Sequence, residues 1–282
     1  MNSICKSAGT VAALLLLTPA AWAGFVTFES AEATPAAITP TRDAFRVAVG
    51  GGSVAGGAGS FGGLRREINW DGVPDVRADP NPLPADFFNV NSPRGVVFST
   101  PGSGFLVSAN SGLPTPALFG LASEFQAFST QRLFTAVSSN ITDVSFFVPG
   151  TTIAATTTAF GAIFADVEVA GLTRLEFFDE QNSLIYSRDA LGAGNQGLSF
   201  LGAVANGGER ISRVRLTSGL NTIVANGELG NANDDVVVMD DFLYAEPTQA
   251  VPEPSSLALA SLGLVGGLAW LRRRRDAVQA AG

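Results

Sequence analysis

Between Phe25 and Tyr244 the chain contains a series of short apolar or alternating runs, which recur about every 10–15 residues from Phe160 to Leu216. Phe25–Glu29, Val96–Ser99, Phe105–Ser108, Arg132–Val137 and Val144–Val148 come first. Phe160–Val169, Thr173–Phe178, Ser183–Ser187, Leu198–Val204, Ile211–Leu216 and Asp235–Tyr244 follow. The runs are rich in β-branched and aromatic residues, which fit a pleated, half-buried surface. They are separated by turn formers: Pro149-Gly150, Asp179–Asn182, Asn206-Gly207-Gly208 and Asn226-Gly227. No long stretch of this region has the 3.6-residue apolar period of a helix, and only Ala117–Phe128 reads as a short one. The pattern therefore predicts an all-β fold, an antiparallel jelly-roll-like β-sandwich over residues 24–247. Gly50–Gly63, Asp79–Pro84 and Gly112–Pro116 read as loops. Hydrophobic residues make up 46% of the chain and charged ones 15%, with 20 Phe, so material for a core is ample.

Charge and residue types narrow the chemistry. Residues 24–250 hold 23 acidic side chains and 12 Arg, a net −11, with no Lys, His or Cys. An acidic surface repels phosphate backbones, which argues against nucleic-acid binding. The lack of His removes the commonest general base and transition-metal ligand, and with them Ser–His–Asp triads. Cys5, the single cysteine, precedes the first apolar run, so no disulfide is expected in the folded domain.

The two ends are more explicit. Residues 1–23 have the form of a secretory signal peptide: Lys6, the apolar run Val11–Leu17, and the small-x-small cleavage site Ala21-Trp22-Ala23. After a linker at 248–254 comes an uncharged stretch, Ser255–Leu271, then Arg272, Arg273, Arg274 and Arg275. As a helix those seventeen residues reach about 25 Å. With snorkelling arginines that suffices for a single transmembrane helix, and the Arg cluster places its far end in the cytoplasm. The domain would then lie outside, as the signal peptide independently implies.

Pro252-Glu253-Pro254, a short apolar helix and an Arg cluster, in that order, resemble the PEP-CTERM sorting signal of Gram-negative bacteria. The resemblance implies recognition by a membrane-embedded exosortase acting near the motif, after signal peptidase has acted at the other end. It also implies an association with exopolysaccharide and biofilm. The tail Asp276–Gly282 is longer than the pattern requires. The segment from about 158 to 246 is similar to one that recurs in exported PEP-CTERM proteins, on Gly161–Glu168, Leu175–Asp179, Leu198–Gly202, Glu209–Ile211 and Val236–Phe242. That likeness bears on location and fold alone.

Few residues of the middle suggest chemistry. In jelly rolls of the carbohydrate-binding-module type the first and last strands pair. The resemblance of Phe28-Glu29 and Asp240-Asp241-Phe242 to their ends suggests a structural Ca2+ site at Glu29 and Asp241. Ca2+ takes six to eight oxygens, and two facing carboxylates repel without a cation or proton between them. Consecutive strand residues point to opposite faces, so only one Asp, taken to be Asp241, would face Glu29. Asp71, Asp75 and Asp79 lie in a Pro- and Gly-containing loop and could hold a second cation; separately, the polar loop Asn231–Asp235 next to the last strand could supply further oxygens. Trp70, the only Trp of residues 24–250, is either a packing side chain or a sugar platform. Arg65-Arg66-Glu67 can pair locally.

The expectation is a non-catalytic exported protein, membrane-anchored facing the periplasm during processing and then at the cell surface or in the extracellular matrix. Exopolysaccharide is its possible partner. The alternatives are a carbohydrate-binding module with structural Ca2+ and, behind it, an exported glycan-acting enzyme, since glycoside hydrolysis needs only two carboxylates.

Overall fold

The computed structural model describes residues 24–51, 65–224 and 235–249, together with Gly263. The expected signal peptide (Ala21 and Ala23 included), most of the Gly-rich stretch and, Gly263 apart, the sorting tail with Pro252, Glu253, Pro254 and Arg272–Arg275 lie outside the described residues.

Two antiparallel sheets carry the fold. The larger contains β1 (Phe25–Glu32), β2 (Arg65–Ile68), β4 (Gly104–Val107), β5 (Phe134–Val137), β8 (Ala159–Ala165), β11 (Leu198–Ala205) and β13 (Val238–Ala245). Its order is β1-β11-β8-β13-β5-β4. β8 takes one edge of β13, while β5 (at Met239) and β2 (along Phe242–Ala245) share the other. The smaller sheet contains β3 (Val96–Ser99), β6 (Ile141–Phe146), β9 (Arg174–Phe178), β10 (Leu184–Asp189) and β12 (Arg213–Thr217), in the order β10-β9-β12-β6-β3. β7 (Ala155–Thr156) and β14 (Thr248–Gln249) form a two-stranded ribbon.

Phe98, Phe134, Phe160, Phe164, Phe177 and Phe242 fill the space between the sheets. The outer face of the larger sheet is covered too. Ile163, Phe200 and Leu243 lie there under Ile38 and Phe45 of α1 (Pro35–Ala48) and under Phe119 and Phe125 of the loop that follows β4. Buried on both faces, β8 has no exposed position, and its sequence AFGAIFA reads as continuous apolar rather than alternating. β9 and β12, with one face toward solvent, keep the two-residue alternation.

Three expectations need correction. α1 is a 14-residue helix that the apolar period does not announce, because only Ile38 and Phe45, two turns apart, are buried in it. Its signals are local: Thr34 at the N-cap, Pro35 in the first turn and Arg46 in the last. Pro40 inside it removes one backbone donor. Conversely, Ala117–Phe128 is no helix. It contains a single 3-10 turn at Leu118–Gly120, and Phe119 has a φ of 57°. Third, the first and last long strands do not pair: β1 takes β11, two strands from β13.

α1 seats on a glycine contact. Gly161 and Gly202 are partners across β8 and β11, and a Cβ on Gly202 would lie 2.9 Å from the Phe45 ring and 3.0 Å from the Gly161 Cα. Only bare backbone lets Phe45 reach the sheet and meet Phe28 and Phe200 edge-on. Among the described residues no helix is long and apolar enough to cross a membrane.

Candidate functional site

The densest polar cluster grows from an irregularity in β13. Met239 pairs with Phe164 but Phe242 with Ala162, so β13 has one residue more than β8 between those points. The burial pattern records the same slip: Met239, Phe242 and Tyr244 face the space between the sheets, Val238 and Leu243 the other side. This β-bulge overrides strict alternation. It brings Asp240 and Asp241 to one site, where the Ser129 hydroxyl lies 3.0 Å from an oxygen of Asp240 and 2.9 Å from one of Asp241. Asp240 also accepts the backbone N–H groups of Phe128 (2.6 Å) and Ser129 (3.2 Å).

Both carboxyls are buried, at 0% and 3% exposure. Burial, the Asp241 charge and a hydrogen bond between the two carboxyls push Asp240 well above the usual carboxylate range. Burial raises Asp241 as well, against its hydrogen bonds to Asp240 and Ser129. The pair therefore retains a proton where an exposed Asp has lost it, the standard response of two carboxyls forced together.

Trp70 sits behind this pair. Its Nε1–H donates to the Asp240 carbonyl at 2.7 Å, and its ring stacks on Phe134 with centroids 4.1 Å apart. At 1% exposure it is a core residue and offers no face to a sugar. The Glu29/Asp241 site does not form either. Glu29 lies on β1 and forms a bidentate ion pair with Arg188 of β10 (2.5 and 2.9 Å). β11 and β8 separate it from β13, roughly 14 Å at about 4.8 Å per strand. Asp71, Asp75 and Asp79 diverge. Asp71 accepts the backbone N–H groups of Gln131 and Arg132, Asp75 pairs with the Arg132 guanidinium at 2.5 Å, and Asp79 is buried near β4 with its carboxyl pushed up by burial. Among the described residues no group of three acidic side chains is placed to hold a metal ion. The local pairing of Arg65 with Glu67 does form, at 2.8 Å, while Arg66 turns inward to Glu246.

Beside the Asp pair, the loop after β4 and the segment before β5 enclose an open cleft in two adjoining parts. One, about 280 Å3, is lined by Asp71, Asn110, Ser111, Thr130, Gln131 and Arg132. The other, about 440 Å3, shares Ser111, Thr130 and Gln131 and continues over Leu118 and Phe125 to Gln126 and Gln196. The smaller part is lined by polar side chains, Asp71 and Arg132 among them, and the larger is mainly apolar with hydroxyl and carboxamide groups at its rim. Gln126 and Gln196 also lace the loop together, through the carbonyls of Ala33, Gln196 and Ala122.

Two further carboxylates lie in segments that carry the resemblance but have no sequence signal for chemistry. Asp166, 1% exposed with a φ of 73°, accepts the Gln196 backbone N–H at 2.8 Å. Burial first, then the charges of Glu168, Glu124 and Asp235, push it up to about 7. Glu209 takes the Gly24 N–H at 2.5 Å and the Gly207 N–H at 2.9 Å. Burial would raise it, but these amides and its own outweigh that and hold it below the usual range. Gly24, the residue after the expected cleavage site, also gives its carbonyl to Asn206 N–H and has no room for a Cβ beside the Asn206 side chain.

In comparison with known families, residues 250–275 fit the model of the PEP-CTERM protein-sorting motif. No curated protein sequence matches the chain.

Proposed function

We propose that this chain, which carries a PEP-CTERM sorting motif and is therefore an exported substrate of exosortase processing, works as a non-catalytic protein of the cell surface or matrix. Its working part is the acidic β domain, and its setting is exopolysaccharide. The single observation that carries this reading is the motif match at 250–275. The strand order supports the jelly-roll part of it. β5, β13, β8 and β11 face β6, β12, β9 and β10, the four-plus-four arrangement of two interlocked Greek keys, with β1 to β4 added at the margins. Mass spectrometry of the protein purified from its native cells is the test. A mature chain starting at Gly24 and ending near Pro252–Pro254 is expected, and an intact 282-residue chain at the surface would overturn the proposal.

A second reading, a carbohydrate-binding module, draws support from the cleft. Carboxamide and hydroxyl side chains at the rim of an apolar floor, as in its larger part, suit a neutral sugar better than a charged ligand. Trp70 and a Glu29/Asp241 calcium site have no part in it. Catalysis is the weakest reading. Asp71 is the one carboxylate among the described lining residues, and its oxygen is engaged by two backbone amides, whereas glycoside hydrolysis uses two carboxyls. A glycan array separates the readings: a chain that retains no sugar, or retains the same sugars after Gln131→Ala and Asn110→Ala, does not use this cleft.

A further inference from the structure

The described domain begins and ends on the same side of the larger sheet. Phe25 of β1 pairs with Ala205 of β11, Val204 with Ala159 of β8, and Phe160 with Tyr244 of β13, so Gly24 and the residues after Ala245 emerge together. Beyond Ala245 the chain is pinned once more, where Thr248 and Gln249 pair with Thr156 and Ala155. The sorting motif begins at the next residue, and the uncharged stretch at Ser255. Residues 250–254 span at most about 18 Å. A domain of this size has a radius of gyration of about 17 Å. A tether about as long as the domain's own radius of gyration restricts which side faces its anchor.

That side has a distinctive surface. The hairpin from Phe147 to Ala154, which runs into β7, touches the end of α2 (Phe87–Val90). Asn89 donates to the Thr151 carbonyl at 2.8 Å and accepts Gly150 N–H at 3.0 Å. Gly150 lies over Pro93, and Gly95 lies against Pro149 and Pro247. None of Asn89–Pro93, Phe147–Thr158 or Pro247–Gln249 is charged, in a domain with a net charge of −11. Val90, at 63%, and Ile153, at 46%, are among the most exposed large apolar side chains described. The arginines beneath are turned inward: Arg66 to Glu246 and the Pro93 carbonyl, Arg94 to the Glu67 carbonyl.

We propose that this face, with Val90 and Ile153 at its centre, lies on the outer surface of the lipid bilayer for as long as the sorting tail holds the chain. The proposal rests on the reading of residues 255–271 as a membrane span. An acidic domain held close to headgroups is repelled by anionic lipid wherever its carboxylates face it. A neutral patch with apolar side chains lessens that repulsion locally, with Asp86, Asp179, Glu180 and Glu209 around it at the same end, and lets valine and isoleucine enter the interface.

The test uses the chain from Gly24 to Gly282, which has no cysteine of its own. It carries one fluorophore through Val90→Cys, Ile153→Cys or, as control, Leu220→Cys. Leu220 is 58% exposed and lies next to the start of β13, the end remote from Gln249. The chain is reconstituted in phosphatidylcholine vesicles with and without a headgroup spin label. Quenching at positions 90 and 153 is expected to be at least twofold that at 220, and to fall to the control level when Val90→Glu is combined with a label at 153. Equal quenching at all three sites in a chain that floats with the vesicles overturns the proposal and leaves the membrane span standing. A chain that does not float overturns the span, and the proposal falls with it. All four substitutions are at exposed positions, and an unchanged thermal unfolding curve verifies the fold.

Discussion

At the scale of single residues, the buried carboxyls are the most consequential feature. Asp240 satisfies two backbone N–H groups and a hydroxyl at once. Asp240→Ala orphans the two backbone donors, while the Ser129 hydroxyl keeps Asp241; a buried unsatisfied donor costs about 1–3 kcal/mol, so a loss of about 2 kcal/mol or more in urea unfolding is expected. Glu29→Gln removes an exposed ion pair and should leave the urea midpoint nearly unchanged. That contrast separates a scaffold Asp from a surface Glu, the two residues a calcium site would have joined. Gly24 makes a different prediction. Cleavage after Ala23 would convert the Gly24 N–H that Glu209 accepts into an ammonium group, turning a hydrogen bond into a charge-assisted one. Glu209→Gln should therefore destabilise the chain that starts at Gly24 more than one that keeps residues 1–23, measured by thermal melting of both forms.

At the scale of elements, the sequence conveys what depends on local pattern and hides what depends on neighbours. The short strands were legible because turn formers bound them and their residues prefer a pleated surface. β8 was legible as a strand but not as one covered on both sides, since nothing in AFGAIFA says what lies over it. α1 was missed because two buried side chains are too few for a period. The site suffered most. Strict alternation assigned Asp240 and Asp241 to opposite faces, and one inserted residue in β13 reversed that. Ser129 had no signal at all, since it meets the Asp pair only through a loop that starts more than 100 residues earlier. The seat of α1 offers a sharp test of element packing. Gly202→Ala drives a methyl group to about 3 Å from the Phe45 ring and from the backbone of Gly161. Overpacking of this kind costs about 1–3 kcal/mol, and the loss should shrink in the background of Phe45→Ala, which relieves the ring contact and leaves the Gly161 contact, as a double-mutant cycle would record.

At the scale of the molecule, the carboxyls set the pH response. Asp166, Asp240, Asp241, Asp79 and Asp235 are all raised in the folded chain, with burial the largest cause for each. A folded state that holds protons the unfolded state has released loses stability as pH rises. The domain should therefore melt higher at pH 5 than at pH 8, by several degrees, given about 2–4 °C per kcal/mol at this size. Asp166, pushed up to about 7, titrates inside that window. Asp166→Asn keeps an oxygen for the Gln196 N–H and should flatten the upper part of the profile while raising the melting temperature at pH 8. A profile that instead rises with pH would mean these carboxyls are ionised in the fold.

The place where the chain leaves the domain also has a mechanical meaning. Tension on the tail would first peel two residues, Thr248 and Gln249, from β7. The load would then fall on Glu246, locked to Arg66 inside the protein, and on β13, which is hydrogen-bonded along both edges. Drawing β13 out lengthwise requires two ladders to shear together, not one to unzip. A protein pulled by its C-terminal end in flow or by a neighbouring cell would thus yield a short length of slack and then hold firm.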